Sequence, residues 1–256
     1  MAKLSFWNGG IASATVLGKK MFLDLSDRTI CENLYVRRVW EPQVTRHLRT
    51  FLSQGMTVLD IGANVGYYTL LFSELVGSNG RVFAFEPEPS RFNLLKANVE
   101  ENRCTNVVLR REAVSNMTGE MRLNMDPRAN PGDNRLFDWP DARSSVMVKT
   151  VRLDDLFPDP LSSVDFVKMD IQGAEAIAFQ GMRNLVGTSR AITVLMEFWP
   201  EGISKSGMEP KAYLDDLVKS GFHLYVIDDE GQASNPVSPQ EVLEKCRHEV
   251  YLLCRK

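Results

Sequence analysis

Polar and apolar positions along this chain switch repeatedly between two periods. The apolar runs TVLDI, RVFAF, NVVLR, VDFVKMD and AITVLMEF read as buried strands, because a strand covered on both faces loses the in-and-out alternation of a half-exposed one. Helical spacing predicts helices over 66–76, 90–101, 173–185 and 210–220; the second has Ser90 as N-cap and Phe92, Leu95 and Val99 on one face. Strands alternating with helices predict an α/β domain on a parallel sheet. FHLYVID and HEVYLLCRK, separated by a polar loop, predict a closing antiparallel hairpin. Upstream, MFLDL and RTICENLYV read as short strands or loops, and residues 41–53 as a helix with Pro42 in its first turn.

The rhythm breaks between residues 119 and 153. Segments 119–124 and 146–153 alternate as strands, and the stretch between them is rich in turn formers, punctuated by Phe137 and Trp139. A loop of this length predicts a lid or acceptor-recognition element whose aromatics stack on a sugar or ring, with a mobile insertion as the plainer reading.

Chemistry gathers where strands end. TVLDIGANVGYYT runs through Asp60 into Gly62 and Gly66. Gly62 permits a sharp turn or a close ligand approach, and Gly66 starts the next helix tight against the strand. Asn64 stands where a dinucleotide fingerprint has its middle glycine, so a cofactor without a pyrophosphate fits better. Glu86 and Pro87 close the second strand about 20 residues on, where an acid takes ribose hydroxyls. The third leads to Arg111, Glu112 and Ala113, and two later strands end near Lys168, Asp170 and Glu197.

In order, DIGANVGYYTL, FEPEP, TVRLDDL, VDFVKMDIQGAE and LMEFWP resemble the FkbM-type S-adenosylmethionine-dependent methyltransferases across roughly residues 34–255. The most specific segment is Lys-x-Asp-x-x-Gly-x-Glu, here Lys168, Asp170, Gly173 and Glu175; the family usually has Glu where this chain has Gln172. The resemblance implies a Rossmann-like class I methyltransferase, a three-layer α/β/α sandwich with a seven-stranded, mostly parallel sheet and an antiparallel last strand. It is expected as one domain over 1–256, with 1–53 as an N-terminal cap and 119–153 as a β-hairpin insertion with a lid-like loop.

By the same resemblance Asp60 lies near the methionine ammonium, Gly62, Ala63 and Asn64 run along the methionine, Gly66 belongs to the same loop, Glu86 and Pro87 meet the ribose, and Glu112 and Ala113 meet the adenine. Tyr35, Trp40 and Glu41 close the pocket or simply pack. Trp139 is a candidate for contacting the acceptor, and Glu175 for contacting it or holding the loop, with a surface glutamate at a helix start as the plainer reading. Lys168 is the first choice for general base, provided burial lowers its pKa, with Asp170 orienting it. Asp170 and Glu197 alternatively coordinate Mg²⁺, or Glu197 shapes the pocket through hydrogen bonds. The implied reaction is O-methylation of a hydroxyl on a sugar, a glycolipid or polysaccharide unit, or a secondary metabolite.

Composition narrows this. A chain of 256 residues with net charge −3 and mixed signs has no basic stripe for nucleic acid. Cys31, Cys104, Cys246 and Cys254 show no metal or disulfide spacing, and no apolar run approaches a membrane span. A cytoplasmic enzyme on a small-molecule or glycan acceptor is expected, with a homodimer possible through exposed aromatics. Two alternatives stay open: a non-catalytic cofactor-binding module, and a nicotinamide-dependent oxidoreductase, which lacks here a GxGxxG and a Tyr-x-x-x-Lys pair.

Overall fold

The computed structural model describes residues 10–126, 131–137, 142, 144–158, 164–189, 191–228, 230–246 and 248–256. It opens with a hairpin, β1 (Ile11–Val16) and β2 (Lys19–Asp24), followed by α1 (Ile30–Arg37) and α2 (Pro42–Phe51). Then come β3 (Thr57–Ile61), α3 (Tyr67–Val76), β4 (Arg81–Phe85), α4 (Pro89–Glu101) and β5 (Val107–Arg110). A small sheet follows, formed by β6 (Ala113–Val114), β7 (Gly119–Met125) and β8 (Ser144–Val151). After α5 (Leu153–Leu156) the main sheet resumes with β9 (Phe166–Met169), α6 (Glu175–Gln180), α7 (Arg183–Thr188) and β10 (Thr193–Phe198). The chain continues with α8 (Pro200–Lys205), α9 (Pro210–Lys219), β11 (His223–Ile227), α10 (Pro239–Lys245) and β12 (Val250–Arg255).

The main sheet has seven strands in the order β11-β12-β10-β9-β3-β4-β5. Contacts among β10, β9, β3, β4 and β5 are parallel, and β12 runs antiparallel to both β10 and β11, as the resemblance implied. Each face carries its own apolar core. On one side Leu48, Leu70, Phe72 and Leu95 pack against Val58, Phe166 and Leu195. On the other, Phe179, Leu185, Leu214 and Leu217 pack against Leu59, Val167 and Met196. Each of these large side chains contributes roughly 1.5–3 kcal/mol when fully buried. The strand order reverses direction between β3 and β9, and the carboxyl ends there form the crevice in which such sheets bind ligands.

Several local expectations are corrected. RTICENLYV is largely the helix α1, because the Asp27 side chain accepts the backbone N–H groups of Thr29 and Ile30 at its start and Cys31 and Leu34 bury one face. Asp27 also pairs with the buried Arg91 of α4 at 3.2 Å, pinning the N-terminal segment to the sheet layer. The cap of α4 is Glu88, whose carboxylate accepts from the Ser90 and Arg91 backbones; Ser90 lies inside the helix. The single helix expected over 173–185 is broken in two at Gly181, where a Cβ would strike the Ser115 carbonyl. The polar loop before β12 contains α10, started by a Ser238–Glu241 capping box.

Candidate active site

The parallel register of β3 and β9 sets Asp60 beside Lys168 on the face toward α3. These two charged side chains are buried in a layer otherwise filled by Leu195, Phe166 and Val58. Such a placement is stable only when the charges are paired and hydrogen-bonded. Thr69 of α3 donates to Asp60 at 2.5 Å, and Lys168 donates to Asp170 at 3.1 Å. Asp60 Oδ1 is buried with no partner among the described residues, and Asp60 lines neither part of the cleft. The expected contact of Asp60 with the methionine ammonium is therefore not made at the cleft surface.

Above this layer runs a cleft with two lobes that share Gly62, Asn64, Gly132, Asp170 and Gln172. The narrower lobe is walled by Phe85, Glu86, Pro87, Glu112, Ala113 and Leu136. Glu86 accepts the backbone N–H groups of Asn64 and Glu88, each at 2.9 Å, and burial pushes its carboxyl up to about 7. Gly62, at φ +84°, leaves no room for a side chain: a Cβ would collide with the Asp170 carbonyl. Asn64, which lines both lobes, is also left-handed (φ 49°), and its Oδ1 is buried without a partner among the described residues. Ala63 lines the wider lobe, whereas Gly66 only caps α3.

The wider lobe, a cavity of about 430 Å³, falls in the size range of small-molecule sites. Trp40, Glu41, Tyr67, Tyr68, Lys168 and Trp199 stand around it, with Glu197 and Glu249. Burial alone would lower the Lys168 pKa, but the facing carboxylates of Asp170, Asp60 and Glu41 outweigh it and hold the ammonium above its ordinary value. The reading of Lys168 as a neutral general base fails for that reason; it is a fixed cation, 4.6 Å from the Tyr68 ring. Glu197 is raised well above the carboxylate range by burial and by Asp170, Glu175, Glu249 and Glu41. The Gln172 amide donates to Glu197 at 2.9 Å and reaches Asp170 at 3.4 Å, filling the gap in which a shared cation would sit. Among the described residues no group of three or more His, Cys, Asp or Glu side chains is arranged for a metal, and the reading of Asp170 and Glu197 as Mg²⁺ ligands finds no support here.

Of the two expected acceptor contacts, Glu175 is placed away from the cleft. Glu175 is fully buried and lines neither lobe; it accepts the Ile171 N–H at 2.9 Å and so holds the loop after β9. Trp139 lies outside the described residues. Phe137 is buried rather than presented to the cleft, while Gly132, Asp133 and Arg135 from the described part of its loop line the wider lobe; Arg135, paired with Asp133 at 2.6 Å, lies 4.6 Å over the Trp199 ring. Tyr35 lines neither lobe, while Trp40 and Glu41 do. Sequence reasoning missed Tyr68, Arg135, Trp199, Glu249 and Tyr251, although Tyr68 and Trp199 lay inside the quoted runs GYYT and MEFWP.

The profile of the methyltransferase FkbM domain matches residues 60–224. The chain belongs to the FkbM methyltransferase family. Among characterised members, it is 26% identical over 172 residues to the hexuronic acid methyltransferase AglP of Haloferax volcanii, covering 67% of this chain and 65% of that one. It is 27% identical over 162 residues to the 31-O-demethyl-FK506 methyltransferase FkbM of Streptomyces tacrolimicus, covering 52% and 62%. The match thus spans less than two thirds of either relative's length. A solved candidate rRNA-methylase of Clostridium thermocellum has the same fold at a TM-score of 0.50 and 15% identity, over 84% of this chain and 93% of that one. For the FkbM family frame, the domain match ends before Tyr251 and starts after Glu41, so part of the wider lobe is built outside it.

Proposed function

We propose that this protein is an S-adenosylmethionine-dependent O-methyltransferase acting on a hydroxyl of a sugar, a glycolipid or polysaccharide unit, or a secondary metabolite. The observation that carries this reading is the two-lobed cleft joined at Gly62 and Asn64. One lobe has a buried acid, Glu86, for a ribose. The other has aromatic walls and a fixed cation beside a carboxylate, Lys168 and Asp170. The residues fit the cofactor: Gly62, packed too tightly against the Asp170 carbonyl to carry a side chain, presents bare backbone to both lobes, and Asn64, whose Oδ1 has no partner among the described residues, stands beside it. When bound, the cofactor supplies an electrophilic methyl on a sulfonium.

The chain's own part is positioning and proton handling. The acceptor oxygen must be held about 3 Å from its target, with water excluded and its proton removed. Asp170 lines both lobes and is the carboxylate best placed to take that proton, while Lys168 orients it and stabilises its charge. Trp40 offers an apolar surface against which a sugar ring packs, and Trp199 carries Arg135 over its ring in the same lobe. The O-methyl assignment draws on the FkbM relative, whose name specifies an oxygen. A reducing, cytoplasmic setting belongs to the reading, since Cys31, Cys104, Cys246 and Cys254 are all free thiols.

Calorimetric titration with S-adenosylmethionine, with NAD as control, tests the cofactor. Micromolar binding of the sulfonium compound alone is expected, followed by formation of S-adenosylhomocysteine with a panel of hydroxylated glycans in the presence of excess chelator. Preference for NAD, or no binding of either, would overturn the reading. Binding without turnover on any acceptor would favour the non-catalytic module.

A further inference from the structure

Glu41 is the least expected feature of the cleft. It is the N-cap residue of α2, but its side chain does not cap that helix. Its backbone is left-handed, at φ 41° and ψ 66°, a conformation that costs a non-glycine residue roughly 1 kcal/mol or more and persists where surrounding contacts enforce it. The carboxylate turns into the wider lobe instead, where it accepts hydrogen bonds from the phenols of Tyr68 and Tyr251. Tyr68 stands in the first turn of α3, directly after the loop of Gly62, Ala63 and Asn64. Tyr251 stands on β12 opposite Glu197. Three separate elements thus aim one carboxylate at the space beside the glycine loop.

The proposed cofactor ends in an α-amino acid, whose ammonium needs an anionic partner in a half-buried site. Asp60 does not supply it at the cleft surface, being sealed beneath the floor with Thr69. Asp170 is taken up by Lys168, and Glu86 stands in the other lobe. Glu197 lines the same lobe but is bonded to the Gln172 amide at 2.9 Å and raised by burial and the neighbouring acids, and Glu249 stands just before β12. We infer that Glu41, aimed by Tyr68 and Tyr251, is the residue that binds the α-ammonium of the methionine moiety. The inference rests on the proposed function and assigns to the N-terminal segment, outside the matched family region, one end of the cofactor. Burial and Asp170 raise the Glu41 carboxyl while Lys168 lowers it, so a ligand cation beside it would favour the ionised form.

The test compares S-adenosylmethionine and S-adenosylhomocysteine, which share the amino-acid end and differ only in the sulfonium methyl, with 5′-methylthioadenosine, a thioether that lacks that end. Losing a charge-assisted hydrogen bond predicts that Glu41→Gln weakens the first two about tenfold or more and leaves the third unchanged. Tyr251→Phe, which disturbs the aim without touching the ligand, should weaken the first two several-fold and again spare the third. Equal weakening of all three would make Glu41 merely structural, and unchanged affinity for all three would place it with the acceptor; either result overturns the assignment. If the wild-type protein binds methylthioadenosine but gains nothing from the amino-acid end, the assignment also fails while the adenosine site stands. If it binds none of the three, the proposed function itself falls.

Discussion

The two lobes of the cleft were built in different ways. The narrower lobe is assembled from consecutive strand ends: Gly62 after β3, Glu86 after β4, and Glu112 and Ala113 after β5, each one βα unit from the last. The wider lobe collects Glu41 from the N-terminal segment, Arg135 from the small-sheet insertion, Lys168 and Trp199 from neighbouring strands, and Glu249 from just before the last one. The first is a local repeat that any chain of this fold can reproduce. The second depends on which distant segments a particular chain brings over the sheet, and loops gathered this way are where binding properties vary most between chains of one fold.

The lobes meet at Gly62, so the sharpest way to break the comparison is Gly62→Ala. Its Cβ cannot coexist with the Asp170 carbonyl, and its φ of +84° is unfavourable for alanine. Binding of S-adenosylmethionine should fall on the order of a hundredfold or more, from several kcal/mol of strain, and the melting temperature should drop with it. Affinity retained within a few-fold in calorimetry would show that the two lobes are not coupled at this point.

Lys168→Met should separate the lobes by role. Turnover is expected to fall roughly 10²–10⁴-fold, the range for a group that manages a transferred proton, with cofactor affinity changed less than about threefold. Asp170 loses its partner in this variant and stability suffers; Lys168→Met with Asp170→Asn should restore the melting temperature without restoring turnover. Steady-state rates and melting curves on the pair decide it, and full activity in either variant would remove the dyad from the chemistry.

A pH profile sharpens the comparison further. Burial raises Glu86 and Glu175 from 4.5 to about 7. Unfolded, each loses its proton near pH 4.5; folded, each keeps it until about pH 7. Their contribution to stability is therefore complete below pH 4.5 and is lost as pH rises through the window to about 7. Glu175→Gln, permanently neutral, should flatten the fall of melting temperature across pH 4.5–7, by an amount corresponding to about 1–3 kcal/mol at the upper end. Parallel profiles for the variant and wild type would contradict the buried, loop-holding role of Glu175.

The smallest effect is expected at Glu112. It sits at the rim, bonded to Arg110 at 2.7 Å with both side chains partly exposed, and rim ion pairs contribute little. Glu112→Gln should change cofactor affinity less than about twofold by titration; a tenfold loss would make the rim as important as Glu86.

Much of the narrower lobe was legible in the chain. The apolar runs placed the main strands, and the spacing from Gly62 to Glu86 placed an acid at the end of β4, where Glu86 lines the narrower lobe. Errors arose where a side chain's partner was remote. RTICENLYV looked extended until Asp27, anchored by Arg91, capped it as a helix. The expected neutral Lys168 is a cation because Asp60, Asp170 and Glu41 converge on it, and Asp60 and Lys168 are neighbours only through strand pairing. Glu175, expected either to contact the acceptor or to hold the loop, does the second, since the Ile171 N–H of that loop donates to it.

By itself, the sequence determined the alternation of strands and helices, the glycine turn after β3 and the acids at strand ends, because periodicity, turn chemistry and βα spacing act over a few residues to a few tens. Tertiary structure alone decided which charges face one another. Glu41 and Tyr251 are 210 residues apart and meet because β12 inserts antiparallel beside β10. Burial and the electrostatics of the site follow from that meeting, and neither is a property of any segment taken alone.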